Sequence, residues 1–139
     1  MIATEQFVFV HVPKTGGVFL GEAMREHTAA EDLGQHALYG NLPERYRGLP
    51  AICFVRNPWD WYVSFWHHRR RQGFEGDLRE LLSHAHRTKP DTYTRSFRRI
   101  AGDGVKDGRV EVGRFESLAR TSWVSWIGTG SMRRPSGRR

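Results

Sequence analysis

The fold is decided by one segment near the start of the chain, Phe7-Val8-Phe9-Val10-His11-Val12-Pro13-Lys14-Thr15-Gly16-Gly17. Its first half is rich in β-branched and aromatic residues and almost unbroken in apolarity, which predicts a central parallel strand covered on both faces. After it, apolar side chains recur at helical spacing, so we expect a helix over residues 17–27. Strand, loop and helix in this order begin a βαβ unit.

The turn between this strand and helix has the chemistry of an anion cradle. Gly16 and Gly17 let backbone amides approach a ligand closely, and the helix that follows offers unpaired N–H groups and the positive end of its dipole. Lys14 adds a mobile positive charge. The turn lacks the G-x-x-x-x-G-K-[ST] spacing of a Walker A motif, which argues against an ordinary nucleotide triphosphatase.

A second buried strand is predicted at Ala51-Ile52-Cys53-Phe54-Val55, parallel to the first and next to it. Pro58 suits the first turn of a helix that continues to about Arg71. The remaining elements that the patterns predict are helices over 77–87 and 91–101, the second with Asp91 as its cap, a strand over 109–112, and a last helix through Trp123 and Trp126. The chain is therefore expected to be an α/β protein with a short parallel sheet flanked by helices.

Length and composition set the outer limits. The chain has 139 residues, 38% of them hydrophobic, which predicts one folded domain over residues 1–127. Residues 128–139 form a basic tail that we expect to be disordered. No apolar run approaches the roughly 20 residues that span a bilayer, and no signal peptide is recognisable. A single cysteine, Cys53, allows no internal disulfide and favours the cytoplasm.

The net charge of +7 raises the question of nucleic-acid binding. Four arginines in the last seven residues supply more than half of this charge, so the excess on the domain is modest. A basic nucleic-acid-binding module that uses the tail and Arg69–Arg71 stays an alternative, but nucleic acid is not the expected partner. The same three arginines are either a solvated helix end or a patch for an anionic substrate.

Two further motifs carry a family resemblance. Arg56-Asn57-Pro58-Trp59-Asp60, with Ser64 eight residues beyond Arg56, follows the second strand, and Gly113-Arg114-Phe115-Glu116-Ser117-Leu118 stands near the end. Together with Pro13-Lys14-Thr15-Gly16-Gly17 they resemble the sulfotransferases that use 3′-phosphoadenosine 5′-phosphosulfate (PAPS), in the bacterial and glycan-type branch. The likeness covers residues 7–127 and implies a P-loop-like sulfotransferase core that is shortened at its C-terminus.

The resemblance implies a set of site residues. Lys14, Thr15, Gly16, Gly17 and Val18 would hold the 5′-phosphosulfate, and Arg56 with Ser64 would hold the 3′-phosphate. Lys14 would also act in catalysis, by neutralising the charge that grows on the leaving oxygen. His36 is the candidate base for a hydroxyl acceptor, which is expected to be a small molecule or a carbohydrate, and His11 competes for that role. No metal is expected.

The chain also departs from the family pattern, and this keeps other functions open. Val18 stands where a threonine or serine is usual, so only its backbone amide serves the phosphate, and Trp61 replaces a common arginine. With the shortened C-terminus, a non-catalytic relative that only binds the nucleotide is the main alternative, and a P-loop kinase is the other enzyme considered. Trp59 is a candidate for stacking on adenine, and Phe115 is expected to be buried beside a local ion pair.

Overall fold

The computed structural model describes residues 1–120, which form an α/β fold of five strands and four helices. The strands are β1 (Ile2–Ala3), β2 (Val8–Val10), β3 (Glu31–Asp32), β4 (Ala51–Val55) and β5 (Val110–Arg114). The helices are α1 (Gly17–His27), α2 (Pro58–Arg71), α3 (Leu78–Thr88) and α4 (Thr92–Lys106). Three 3-10 segments lie at Tyr39–Asn41, Glu44–Tyr46 and Phe115–Arg120.

The sheet is mixed, which corrects the prediction of a purely parallel one. Its strand order is β3-β1-β2-β4-β5, and β2, β4 and β5 run parallel as expected, while β1 is antiparallel to both β2 and β3. The antiparallel pairing of β1 with β2 arises from a tight turn at Thr4, whose hydroxyl accepts a hydrogen bond from the Phe7 amide at 3.0 Å. Such a short connection can join only antiparallel strands.

The alternation of side chains along β2 divides the core between the two faces of the sheet. Val8 and Val10 belong to one apolar cluster, with Cys53 of β4 and Ile100 of α4. Phe7 and Phe9 belong to the other cluster, whose members from α1 are Leu20 and Met24. Helices α1 and α4 therefore cover opposite faces, as expected for a central strand whose residues are apolar on both sides.

The four predicted helices that fall within the described residues are confirmed, with one difference in length. Helices α1 and α2 and strand β4 have the expected bounds, and α3 begins one residue later than predicted. Helix α4 runs to Lys106, beyond the expected end at residue 101, although it contains Gly104. A Cβ at Gly104 would lie 2.4 Å from Val110 and 2.5 Å from Tyr39, so this glycine is a close-packing position and not a helix stop.

The N-cap of α4 differs from the sequence prediction, and the tryptophans of α2 differ from each other in burial. Asp91 occupies the N-cap position of α4 but has a left-handed conformation, and its side chain makes no capping hydrogen bond. On α2, the buried tryptophan is Trp61, with 2% exposure, whereas Trp59 is 75% exposed and points away from the core. The packed face of this helix therefore includes Trp61 and not Trp59.

Two of the predictions concern residues that the structure does not describe. The helix through Trp123 and Trp126 and the tail 128–139 both lie outside the described residues. Within residues 1–120, none of the helices combines the length and the apolar character that crossing a membrane requires.

Candidate functional site

A cleft of about 670 Å³ opens where the parallel strands β2 and β4 end. Ligands of open α/β sheets bind at this edge, outside the carboxyl ends of the strands. The cleft brings together most of the residues that the sequence singled out, although they come from four separate segments. Those that line it are Lys14, Gly16, Gly17, Val18, His36, Arg56 and Ser64.

The loop before α1 has the backbone geometry of a cradle. Lys14 and Gly16 both have positive φ, 63° and 80°, and Gly16 takes the N-cap position without any side-chain cap. By contrast, α2 is capped by Asn57 and α3 by Asp77. The first amides of α1 are thus left without a side-chain acceptor beside the cleft, and such amides attract anions.

Thr15 is the one predicted site residue that does not line the cleft. Its side chain is fully buried, and its hydroxyl donates a hydrogen bond of 2.8 Å to the Val12 carbonyl. The threonine side chain therefore fixes the shape of the loop, and only its backbone amide remains as a possible ligand contact.

Arg56 is held between the cradle and the third motif. Its Nη1 donates to the Lys14 carbonyl at 3.3 Å, and its guanidinium carbon lies 4.9 Å from the centre of the Phe115 ring. Its backbone is fixed by the Tyr93 hydroxyl, which accepts from the Arg56 amide and donates to the Arg56 carbonyl. Arg56 forms no ion pair with Asp60 or with any other described carboxylate.

Phe115 contributes to the site in a way that the sequence did not predict. The residue is half-buried and lines the cleft, and a Cβ at Gly16 would lie 2.2 Å from its ring. The local ion pair expected beside it is absent from the described residues. Instead, the Glu116 carboxylate accepts a hydrogen bond from the Asn57 amide, which lowers the pKa of Glu116. The third motif therefore packs directly against the first two.

His36 and His11 form a pair at the wall of the cleft. Their ring centres are 4.6 Å apart, and His36 Nδ1 lies 3.2 Å from the His11 carbonyl oxygen. A carbonyl oxygen only accepts, so this contact assigns the proton of neutral His36 to Nδ1 and leaves a lone pair on Nε2. The geometry favours His36 as the proton acceptor of the pair.

The His11 ring is weakly basic because it is buried. The residue is only 8% exposed, and burial, followed by the effect of His36, lowers the pKa of its ring to about 4. The ring is therefore neutral at pH 7, and its low basicity makes it a poor proton acceptor. Its place is structural, between the rings of Phe9 and His36.

This burial predicts that the protein loses stability in mild acid. The pKa of His11 is about 4 when folded and near 6.5 when unfolded, so the unfolded chain takes up a proton first as the pH falls. The stabilisation is complete above about pH 6.5 and is lost as the pH falls towards 4. We expect His11 to account for about 2 kcal/mol of lost unfolding free energy between pH 7 and pH 5.

Urea denaturation at both pH values checks this, with His11→Asn as the comparison. Between pH 7 and pH 5, the unfolding free energy of the variant should fall by about 2 kcal/mol less than that of the wild type. The same pH dependence in both proteins would contradict a buried neutral His11.

Several residues that line the cleft belong to none of the sequence motifs, so they were not predicted as site residues. Helix α2 contributes His68 and Arg71 together with Ser64, and α4 contributes Thr92 and Ser96. The α2 residues follow helical spacing from Ser64, so their common face was predictable once Ser64 was placed. The α4 residues depend on how that helix docks, which no local pattern gives.

The charge of the cleft is predominantly positive. Among the described residues that line it, Lys14, Arg56 and Arg71 are cationic, and Glu22 is the one carboxylate. Burial lowers the pKa of Lys14, and Arg71 and Arg56 lower it further. Crowded positive charges of this kind favour a polyanionic ligand.

The absence of a metal-binding cluster and the outcome of three comparisons complete the description of the site. The described residues contain no group of three or more histidine, cysteine, aspartate or glutamate side chains placed to hold a metal ion. Searches against family models, curated proteins and solved structures found no match for this chain.

Proposed function

We propose that this protein is a sulfotransferase that binds PAPS in the cleft and transfers its sulfuryl group to a hydroxyl acceptor. One observation carries the proposal: the Lys14 loop and the Arg56–Ser64 pair, which follow different strands, line one cleft. A donor with phosphate groups on two sides of a ribose requires two separate anion sites in one cavity. The volume of about 670 Å³ lies in the range of small-molecule sites.

The proposal assigns one phosphate to each motif. The planar guanidinium of Arg56 suits the oxygens of the 3′-phosphate, and the Ser64 hydroxyl donates to the same group. The amides at the start of α1 and the Lys14 ammonium hold the phosphosulfate. In this assignment the core is a P-loop-like sulfotransferase core without the Walker A spacing.

The transfer step then follows from the positions of Lys14 and His36. The acceptor oxygen forms a bond to sulfur as the bond between sulfur and the bridging phosphate oxygen breaks, which yields the sulfate ester and adenosine 3′,5′-bisphosphate. Lys14 stabilises the negative charge on the leaving oxygen. The acceptor proton passes to Nε2 of His36, whose Nδ1–H stays bonded to the His11 carbonyl.

The proposal includes a reducing, cytoplasmic setting. Cys53 is the sole cysteine of the chain and lies buried in β4, where burial raises the pKa of its thiol to about 12. This thiol is therefore structural and takes no part in the proposed chemistry.

The function is tested by replacing the proposed base. We expect His36→Gln to lower the rate of ³⁵S transfer from labelled PAPS by about 10²-fold, because a general base contributes at least this factor. A panel of sugar and phenol hydroxyls serves as acceptors, and His27→Gln, at an exposed position on α1, is the matched control. Affinity for adenosine 3′,5′-bisphosphate should remain the same in all three proteins.

Two results would count against parts of this proposal. Equal transfer rates in the wild type and in His36→Gln would remove His36 from the mechanism. Tight binding of the bisphosphate without transfer to any acceptor of the panel would favour the non-catalytic relative instead.

A further inference from the structure

Three consecutive arginines end α2, and they differ in what they contact. Arg69 Nη1 donates to Gln72 Oε1 at 3.4 Å. Arg70 Nη1 donates to the Glu75 carbonyl at 2.8 Å, and its guanidinium lies 5.9 Å from the centre of the Trp66 ring. Arg71 alone of the three lines the cleft, and it has no hydrogen bond or ion pair with another described residue.

The spacing along α2 places Arg71 beyond the proposed donor contacts. Ser64, His68 and Arg71 stand at positions i, i+4 and i+7, and all three line the cleft. At 1.5 Å per residue, Arg71 lies about 10 Å further along the helix axis than Ser64. It is also the strongest charged neighbour acting on Lys14, whose pKa it lowers. Arg71 therefore sits near the proposed reacting end of the donor, away from Ser64.

The proposed donor does not supply a partner for Arg71. Arg56 and Lys14 already provide one cation for each of the two phosphate groups. The Glu22 carboxylate, the one acid on the cleft wall among the described residues, forms no ion pair with Arg71. A guanidinium presents a rigid fork that suits a carboxylate or sulfate, so the unpaired charge of Arg71 favours a further oxyanion that does not belong to the donor.

We propose that Arg71 binds an oxyanion on the acceptor, so the preferred acceptor is a hydroxyl compound that already carries a carboxylate or a sulfate ester. This inference depends on the proposed function, because it places the acceptor beside the bound donor. It makes Arg71 a specificity-determining residue rather than a catalytic one.

The test measures acceptor binding without turnover. The protein is saturated with adenosine 3′,5′-bisphosphate and titrated with methyl β-glucoside, methyl β-glucuronide and methyl β-glucoside 6-sulfate, and binding is followed by NMR chemical shifts. We expect at least one charged sugar to bind about tenfold more tightly than the neutral one, and Arg71→Gln to remove that preference. Arg70→Gln is the matched control and should keep it.

The other possible results would overturn the inference, and each of them points to a different cause. Equal affinity for neutral and charged sugars, or the same loss in Arg70→Gln, would show that Arg71 does not select the acceptor. Weaker bisphosphate binding in Arg71→Gln, in a separate titration, would place Arg71 on the donor. Absence of bisphosphate binding in the wild type would instead contradict the proposed function, and the inference with it.

Discussion

Replacing Trp61 with alanine is expected to lower the free energy of unfolding by about 4 kcal/mol, the largest effect of any single change considered. The side chain is 2% exposed and stacks between the rings of Phe65 and Tyr93, with centre-to-centre distances of 5.1 and 5.0 Å. Its Nε1 donates to the Pro13 carbonyl at 2.8 Å. The truncation would leave a cavity, and it would also leave the Pro13 carbonyl without this partner.

Two further variants separate the parts of this effect. Trp61→Phe keeps most of the ring packing and removes the hydrogen bond, so it should cost about 1–2 kcal/mol and loosen the loop that carries Lys14. Trp59→Ala, two residues away on the same helix and 75% exposed, should change stability by less than about 0.5 kcal/mol. Thermal or urea unfolding checks all three, and equal effects at Trp59 and Trp61 would contradict the packing described.

Replacing Gly17 with alanine is expected to cost about 3 kcal/mol and to disrupt the cradle. A Cβ at this position would lie 1.9 Å from Cδ2 and 2.1 Å from Nε2 of His11. That ring is flanked by the rings of Phe9 and His36, which restrict its movement away from the added Cβ. Gly40→Ala is the matched control, because no atom lies within 4 Å of its added Cβ.

A double-mutant cycle identifies the cause of the Gly17 effect. If the clash with His11 is responsible, Gly17→Ala combined with His11→Ala should be more stable than the sum of the two single effects predicts, by more than 1 kcal/mol. Additive effects of the two changes would show that the close approach of Gly17 to His11 is not what requires a glycine there.

The sequence predicted the helices well and the edge of the sheet poorly, for physical reasons. Helix α2 begins and ends as expected because Asn57 and Pro58 signal its start and the basic run marks its last turn. Strands β1 and β3 have only two residues each, which is too short for any alternation to be recognised. The pairing of β1 with β2 depends on the turn at Thr4, and the pairing of β1 with β3 depends on tertiary structure.

The candidate site could be predicted in part, for a related reason. Lys14 and Arg56 follow parallel strands, and parallel strands bring their carboxyl ends to one edge, so their meeting in one cleft was predictable. Ser96 and Phe115 reach the same cleft through the docking of α4 and of the segment after β5. Contacts of that kind depend on tertiary packing, which local sequence patterns do not encode.

The cleft is proposed to hold two separate anion sites, one at Lys14 and one at Arg56. Calorimetric titration with adenosine 3′,5′-bisphosphate and with adenosine 5′-monophosphate tests it most directly, on the wild type, Lys14→Ala and Arg56→Ala, with Arg95→Ala on the exposed side of α4 as control. We expect the wild type to prefer the bisphosphate by at least about tenfold, since a hydrogen bond to a charged group contributes about 1.5–3 kcal/mol.

The two variants should then differ in how their affinities for the two nucleotides change. Arg56→Ala should remove the preference for the bisphosphate, Lys14→Ala should weaken both ligands, and Arg95→Ala should behave as the wild type. Equal affinity of the wild type for the two nucleotides, or a preference that survives Arg56→Ala, would contradict the two-site account and the function proposed from it.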